Sequence, residues 1–309
     1  MKLAMVFPGQ GSQTVGMLNA YEGLPEVMDV RTQAAQVLGA EFDKILNEGP
    51  QDALNLTVNT QPAMVTAGYA AYRAWRASGG PTPELVAGHS LGEYTAMVAA
   101  GALTFKDCLP LVRFRAQSMQ DAVPAGQGAM AAILMLDDAQ VKQACAEAGG
   151  VVQAVNFNAP GQVVIAGEKA AVERAMEICM AKGAKRAMPL PVSAPFHSTL
   201  MQPAAEKLKA YLGTVTVSPP KISLVNNVDV KVEQEPARIK DALVRQAASP
   251  VRWVETIRRM AEMGATHIIE CGPGRALAGM TKRIGASVQS LALSDREALE
   301  GALRAIRGA

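Results

Sequence analysis

Residues 85–100 admit few folds. An apolar run, Leu85-Val86-Ala87, leads into Gly88-His89-Ser90-Leu91-Gly92, and good helix formers from Glu93 to Ala100 lead out. The order is strand, sharp turn, helix, with a serine at the apex: the G-x-S-x-G nucleophile elbow. A serine backbone in such a turn is strained. Bulky side chains two residues to either side would collide, so glycine stands at both places. The Ser90 hydroxyl then stands clear of the sheet above a helix N-terminus. The unpaired N–H groups and positive dipole end of that helix suit a developing oxyanion. The same five residues would also make a tight turn with a helix N-cap serine; the flanking strand and helix favour the nucleophile.

The chain has 309 residues, enough for one large domain or two. Hydrophobic residues make up 49% and charged ones 19%, an ordinary globular composition. A net charge of +2 without a long basic run argues against nucleic acid. Cys108, Cys145, Cys179 and Cys271 are widely spaced, with no CxxC, which argues against a zinc site or a disulfide framework and for buried free thiols. No apolar stretch is long enough to cross a membrane, and the apolar part of Met1–Pro8 is too short for a signal peptide. The expected compartment is cytoplasmic, with no membrane partner and no metal.

Leu3–Phe7 reads as a buried strand, followed by the turn Pro8-Gly9-Gln10-Gly11-Ser12-Gln13. The two glycines allow close backbone approach to a ligand; a phosphate loop would need GK[ST], which is missing. Helical patterns cover Thr32–Leu46, Gln61–Arg76 with Pro62 in the first turn, and Phe105–Val123. From Gly128 to Leu190 the pattern changes. Strands at Gly128–Leu136, Val151–Phe157, Gln162–Ala166 and Lys185–Leu190 surround helices at Asp138–Ala148 and Lys169–Lys182. That βαββαβ order is the ferredoxin-like split unit. Beyond it, apolar runs at Ile222–Val225 and Thr266–Glu270 suit buried parallel strands. They alternate with helices at Pro236–Ala247, Val251–Met263 and Arg275–Ile284. The expected fold is α/β, a hydrolase-like parallel-sheet domain at 1–124 and 191–309 interrupted by a ferredoxin-like insert at 125–190.

A serine needs a base. Of three histidines, His89 adjoins Ser90 and points elsewhere, and His267 sits inside an apolar strand pattern. His197, in the proline-bounded loop Ser193-Ala194-Pro195-Phe196-His197-Ser198, is the base by elimination and context. A hydrolase triad in the order Ser, Asp/Glu, His would draw its carboxylate from Asp107, Asp121, Asp137 or Asp138, none at a strand end of the main domain. Periodicity does not choose the residue that orients His197.

Several further blocks join the elbow: Phe7-Pro8-Gly9-Gln10-Gly11-Ser12-Gln13, Thr60-Gln61-Pro62-Ala63, Arg115-Ala116-Gln117-Ser118-Met119-Gln120, Asn156-Phe157-Asn158-Ala159-Pro160-Gly161-Gln162, Pro195-Phe196-His197 and Glu270-Cys271-Gly272-Pro273-Gly274. With Gly88–Tyr94 they resemble, in order and over nearly the whole chain, the malonyl-CoA:acyl carrier protein transacylase family. Only Ala116 departs, standing where the family pattern has glycine. The resemblance implies ping-pong acyl transfer through malonyl-Ser90, with His197 as base and acid. It implies that the backbone carbonyl of Gln246 orients His197 and that the N–H groups of Gln10 and Leu91 form the oxyanion hole. Arg115 is the implied partner of the malonyl carboxylate, and Gln61 and Phe196 line the pocket, Phe196 crowding out an α-methyl branch. Malonyl-CoA and phosphopantetheinyl acyl carrier protein are the implied substrates and partners, and no cofactor is implied.

Three other readings compete. A relative that transfers another extender unit, such as methylmalonyl, is opposed by Phe196. A serine hydrolase on the same elbow needs a carboxylate on His197 and has no use for Arg115. A silent carrier-binding scaffold has no use for the intact Ser90, His197 and Arg115 set. Because carrier proteins of this pathway are acidic, the basic cluster Lys182, Lys185 and Arg186 is the expected docking patch, placed near the pocket mouth.

Overall fold

Alternation along one strand sets the layers. In β1 (Leu3–Phe7), Leu3, Met5 and Phe7 face one hydrophobic core while Ala4 and Val6 face another. A strand buried on both faces needs helices above and below it. The computed structural model describes residues 1–192 and 194–308; Ser193, in the loop before His197, and Ala309 lie outside the described residues.

After β1 come α1 (Pro25–Leu38), α2 (Ala40–Glu48), α3 (Gln51–Asn55), α4 (Thr57–Ala77), β2 (Leu85–Gly88), α5 (Gly92–Ala99) and α6 (Phe105–Asp121). A second group follows: β3 (Gly128–Leu134), α7 (Asp138–Ala148), β4 (Val152–Ala159), β5 (Gln162–Glu168), α8 (Lys169–Ala181) and β6 (Arg186–Pro189). The chain then runs through α9 (Gln202–Thr214), β7 (Ser223–Leu224), α10 (Pro236–Ala247), α11 (Trp253–Glu262), β8 (His267–Glu270), α12 (Ala276–Ile284), β9 (Gln289–Ala292) and α13 (Arg296–Arg307).

The larger sheet has the order β7-β2-β1-β8-β9 and is parallel throughout. The larger core holds α1, α4, α5, α6, α9 and α13 against one face; α11 and α12 cover the other. The smaller sheet, β4-β5-β3-β6, is antiparallel. One face packs Ala131, Ile133, Val163 and Ile165 on α7 and α8. The opposite face carries Met130, Val155, Val164 and Ala166, against which Leu190, Val192 and Phe196 pack. Met130 of this second face and Leu190, Val192 and Phe196 packed on it line one cavity with Ser90, which follows the carboxyl end of β2. Two hydrogen bonds, Phe157 N–H to Val251 O and Val251 N–H to Val155 O, fix β4 to the main sheet's unit.

Several elements differ from the sequence reading. The helix expected over Thr32–Leu46 is two helices, broken where Gly39 takes φ +91°. α4 begins four residues before Gln61, so Pro62 lies inside it, not in its first turn. Val251 pairs with β4 and delays α11 to Trp253. α9, β9 and α13 have no counterpart in the sequence reading; β9 is half-buried beyond an exposed Gln289 and lacks the apolar run that marks a buried strand.

Glu270 ends β8 fully buried. One carboxylate oxygen accepts the Ala278 N–H at 2.8 Å, in the first turn of α12. The other has no partner among the described residues. Burial raises its pKa from 4.5 to about 7. Between those values the native state keeps a proton that the unfolded chain has released, so stability falls as pH rises through the window. Glu270→Gln keeps an acceptor for Ala278 without the ionisation. The melting temperature of wild type relative to Glu270→Gln is therefore expected to drop between pH 5 and pH 8; a pH-independent difference would mean Glu270 carries no such proton.

Candidate active site

Ser90 sits at the end of β2 with φ +51°, in the left-handed region. A Cβ added at Gly88 would lie 1.8 Å from the Gly92 carbonyl carbon, and one at Gly92 would lie 2.0 Å from the Phe7 carbonyl oxygen. Those are backbone contacts with no flexible neighbour to yield. The glycines let strand, turn and helix close on one another and on β1. Gly9 has the same use, since its Cβ would fall 2.6 Å from the His89 carbonyl oxygen; its freedom serves packing on the elbow rather than a ligand.

The Ser90 hydroxyl lies 2.6 Å from His197 Nε2. The other ring nitrogen, Nδ1, lies 2.9 Å from the Gln246 carbonyl oxygen. A carbonyl only accepts, so Nδ1 carries the hydrogen and Nε2 presents its lone pair to the serine O–H. None of Asp107, Asp121, Asp137 and Asp138 takes the carbonyl's place; Asp137 caps the start of α7, and Asp107, in the first turn of α6, accepts from the Thr104 hydroxyl that caps that helix. Burial is the main cause of a His197 pKa lowered to about 3, with the Arg115 charge adding to it. Burial thus favours the neutral ring well below the ordinary histidine range. Like Ser90, His197 is left-handed, at φ +65°. Such a backbone costs a non-glycine residue about 1–2 kcal/mol and persists where its surroundings over-determine it.

Arg115, 2% exposed on α6, reaches into the same place. Its guanidinium donates to Gln61 Oε1 at 2.9 Å, to Gln246 Oε1 at 2.9 Å and to Ser90 Oγ at 3.3 Å. Tyr94 lies beneath it, with 5.4 Å from the guanidinium carbon to the ring centroid. Burial lowers its pKa, yet a guanidinium keeps its charge at neutral pH. Arg113, two residues earlier, turns away toward Asn59 and the Phe42 ring.

Ser90, His197, Arg115, Gln10, Leu91, Gln61 and Phe196 line one cavity of about 110 Å³, with Met119, Met130, Leu190 and Val192 on its apolar side. That is well below the roughly 300–1,000 Å³ of sites for drug-sized ligands, so the space suits a short acyl group beside a fixed cation. An outer groove shares Gln10, Leu190 and Val192 and runs along Asn55, Leu56 and Thr57 to the surface.

His89 Nε2 pairs with Asn158 Oδ1 at 2.8 Å and its ring packs on Trp253, directed away from the Ser90 hydroxyl. Register shifts on either side of Asn156–Phe157 in β4 bend that strand so that Asn156 lines the cavity and Asn158 meets His89. His267 is buried and bonds the Thr266 hydroxyl. The basic cluster lies elsewhere than expected. Arg186 pairs with Leu134, at the end of β3 away from Met130, and is about 13 Å along a strand from Leu190. Lys182 is ion-paired with Glu147. Among the described residues no group of three or more His, Cys, Asp or Glu could hold a metal.

Glu93 lies inside the Gly88–Tyr94 block but carries no role in the sequence reading, and Asn227 lies in none of the blocks; both touch the elbow. Asn227 is fully buried in the turn after β7; its Oδ1 accepts the Ser90 N–H at 2.8 Å. Glu93, 2% exposed, accepts from Asn227 N–H and Gln246 Nε2 through one oxygen. Only the pairing of β7 with β2 brings Asn227 to Ser90, and no local pattern reports that.

Ser90 labelling by a serine-directed fluorophosphonate should hold its rate from pH 8 down to about pH 5, because a His197 pKa far below 6.5 leaves the base unprotonated. An inflection near 6.5 would mean a solvated imidazole. His197→Ala is expected to slow labelling at least about a thousandfold, and His89→Ala much less; the reverse order, with both variants folded, would give the base role to His89.

The chain is similar in sequence and in fold to known proteins. The acyl transferase domain family model matches residues 4–297. Malonyl CoA-acyl carrier protein transacylase of Escherichia coli (strain K12) is 51% identical over 305 residues, covering 98% of this chain and 99% of the relative. The crystal structure of acyl-carrier-protein S-malonyltransferase from Burkholderia pseudomallei 1710b superposes with a TM-score of 0.96 at 61% identity, covering 98% of this chain and 100% of that one. A malonyl-transacylase in complex with its type II polyketide-synthase acyl-carrier protein superposes with a TM-score of 0.96 at 49% identity, covering 99% and 100%.

Proposed function

The chain belongs to the acyl transferase family, and from that premise we propose that it moves a malonyl group from malonyl-CoA to the phosphopantetheine thiol of acyl carrier protein. The observation that carries this reading is a buried arginine placed 3.3 Å from the nucleophile in a cavity sized for a short acyl group. The catalytic unit spans residues 1–124 and 191–309 as a hydrolase-like domain, and residues 125–190 form a ferredoxin-like insert whose free face roofs the pocket. The strand order β4-β5-β3-β6 supports the insert assignment. The product serves fatty-acid synthesis. No helix of the described chain is long and apolar enough to cross a membrane, and with soluble thioesters as substrates the reaction belongs to the cytoplasm.

In the first half-reaction His197 Nε2 takes the Ser90 proton as Oγ attacks the thioester carbonyl. The oxyanion is held by the N–H groups of Leu91 and Gln10, which flank Ser90 in the cavity. The tetrahedral intermediate collapses to the malonyl-serine ester; CoA leaves as the thiol, taking the proton from His197. In the second half the carrier thiol gives its proton to His197, attacks the ester, and Ser90 recovers its hydroxyl. Nucleophile, base and donors all come from the chain, so the scheme needs no cofactor. The carboxylate of the acyl group pairs with Arg115, whose five N–H groups exceed the bonds it makes inside the protein. The outer groove along Leu56 and Leu190 suits the pantetheine arm that both substrates share.

Malonyl-CoA should add about 86 Da to Ser90 as the covalent ester, and Ser90→Ala should abolish it; a persistent adduct on another residue would overturn the nucleophile. Removing one partner of a desolvated charge pair costs about 2–5 kcal/mol, so Arg115→Ala should cut kcat/KM for malonyl-CoA by roughly 30- to several-thousandfold. Acetyl-CoA makes no such pair. The ratio of the two kcat/KM values therefore isolates the carboxylate from any common loss through Gln246, and Arg115→Lys should fall between. An equal drop for both thioesters would move the carboxylate reader elsewhere.

A further inference from the structure

Ser90 is tied from outside the elbow at both of its backbone groups. Its N–H donates to Asn227 Oδ1 at 2.8 Å, and its carbonyl accepts from Gln246 Nε2 at 2.9 Å. The Asn227 amide nitrogen donates in turn to the Gly88 carbonyl at 2.7 Å, so one carboxamide spans the residues from Gly88 to Ser90. Asn227 and Gln246 come from different parts of the chain, yet both donate to the same Glu93 oxygen, at 3.1 Å and 3.0 Å. Glu93 stands in the first turn of the helix that Ser90 precedes. The loop is closed: the elbow's own helix supplies the acceptor for the Asn227 backbone N–H and the Gln246 carboxamide, the two residues that hold the elbow.

We propose that Asn227, anchored by Glu93, is a positioning residue that holds Ser90 in its left-handed conformation and so sets the attack geometry of its hydroxyl. This rests on Ser90 being the nucleophile. The Ser90 N–H is spent on Asn227 and so is withheld from the oxyanion, which leaves that task to Leu91 and Gln10. Asn227 has no place in the cavity lining and meets no part of the acyl group. Its loss should act on the rate of Ser90 attack and not on substrate binding or acyl choice. A residue that only stabilised the fold would lower activity in proportion to the folded fraction.

The test measures single-turnover formation of the acyl-enzyme from malonyl-CoA and from acetyl-CoA, together with fluorophosphonate labelling of Ser90. Each rate is taken per folded protein, as read by near-ultraviolet circular dichroism. In Asn227→Ala all three rates should fall together by about 10- to 100-fold, with the malonyl-CoA dissociation constant changed less than about threefold. Glu93→Gln keeps an acceptor oxygen for Asn227 and Gln246 and should retain most of the rate, whereas Glu93→Ala should behave like Asn227→Ala. If Asn227→Ala does not fold, Asn227→Ser, which keeps a hydroxyl acceptor, carries the same expectation with a smaller loss. Rates per folded molecule within twofold of wild type would overturn the clamp, as would a loss confined to malonyl-CoA or to binding. Failure of the reagent to label Ser90 in the wild type would instead overturn the nucleophile on which the clamp rests.

Discussion

The side chain of Gln246 joins a buried cation, Arg115, to a buried carboxyl group, Glu93. Its Oε1 accepts from Arg115, its Nε2 donates to Glu93 and to the Ser90 carbonyl, and its backbone carbonyl takes the His197 Nδ1–H. One fully buried residue thus contacts nucleophile, base and cation together with the carboxylate beneath them. In a low-dielectric interior a lone charge is costly, and truncating one partner leaves the other uncompensated. The Gln246 carboxamide accepts from Arg115 and donates to Glu93, so neither buried group is left without a partner, although burial still raises the Glu93 pKa to about 7.

That arrangement also explains why the base needs no aspartate. A carboxylate against His197 Nδ1 would raise the imidazole pKa and put a negative charge beside the place where an acyl carboxylate must sit. A carbonyl fixes the tautomer and adds no net charge. Burial, with the Arg115 charge adding to it, holds His197 neutral, so the serine meets a free lone pair. The burial that lowers the His197 pKa raises the Glu93 pKa to about 7. The same lack of water acts on an acid and a base in opposite directions.

The two-sheet plan places this chemistry between units of different origin in the chain. The parallel sheet presents Ser90 at a carboxyl end, the usual location for ligands in open α/β sheets. The antiparallel sheet supplies Met130 and packs on Phe196. Bends in β4 turn Asn158 onto His89, which couples the roof of the pocket to the back of the elbow.

Local order was legible in the sequence where chemistry is local. The elbow is written in five residues because two glycines must yield their Cβ atoms for the turn to close. The βαββαβ order of residues 128–189 follows from alternating apolar periods, and His197 stood out because only three histidines compete. Tertiary structure decided whatever depends on which strands are neighbours. Asn227 reaches Ser90 because β7 lies beside β2, from 137 residues away in sequence. The basic cluster at 182–186 moved to the far end of the small sheet because antiparallel pairing put Arg186 opposite Leu134. β9 escaped notice because an edge strand needs no apolar run. Pairing and burial are properties of the whole chain, and a hydrogen bond across such separations leaves no period in the residues on either side of it.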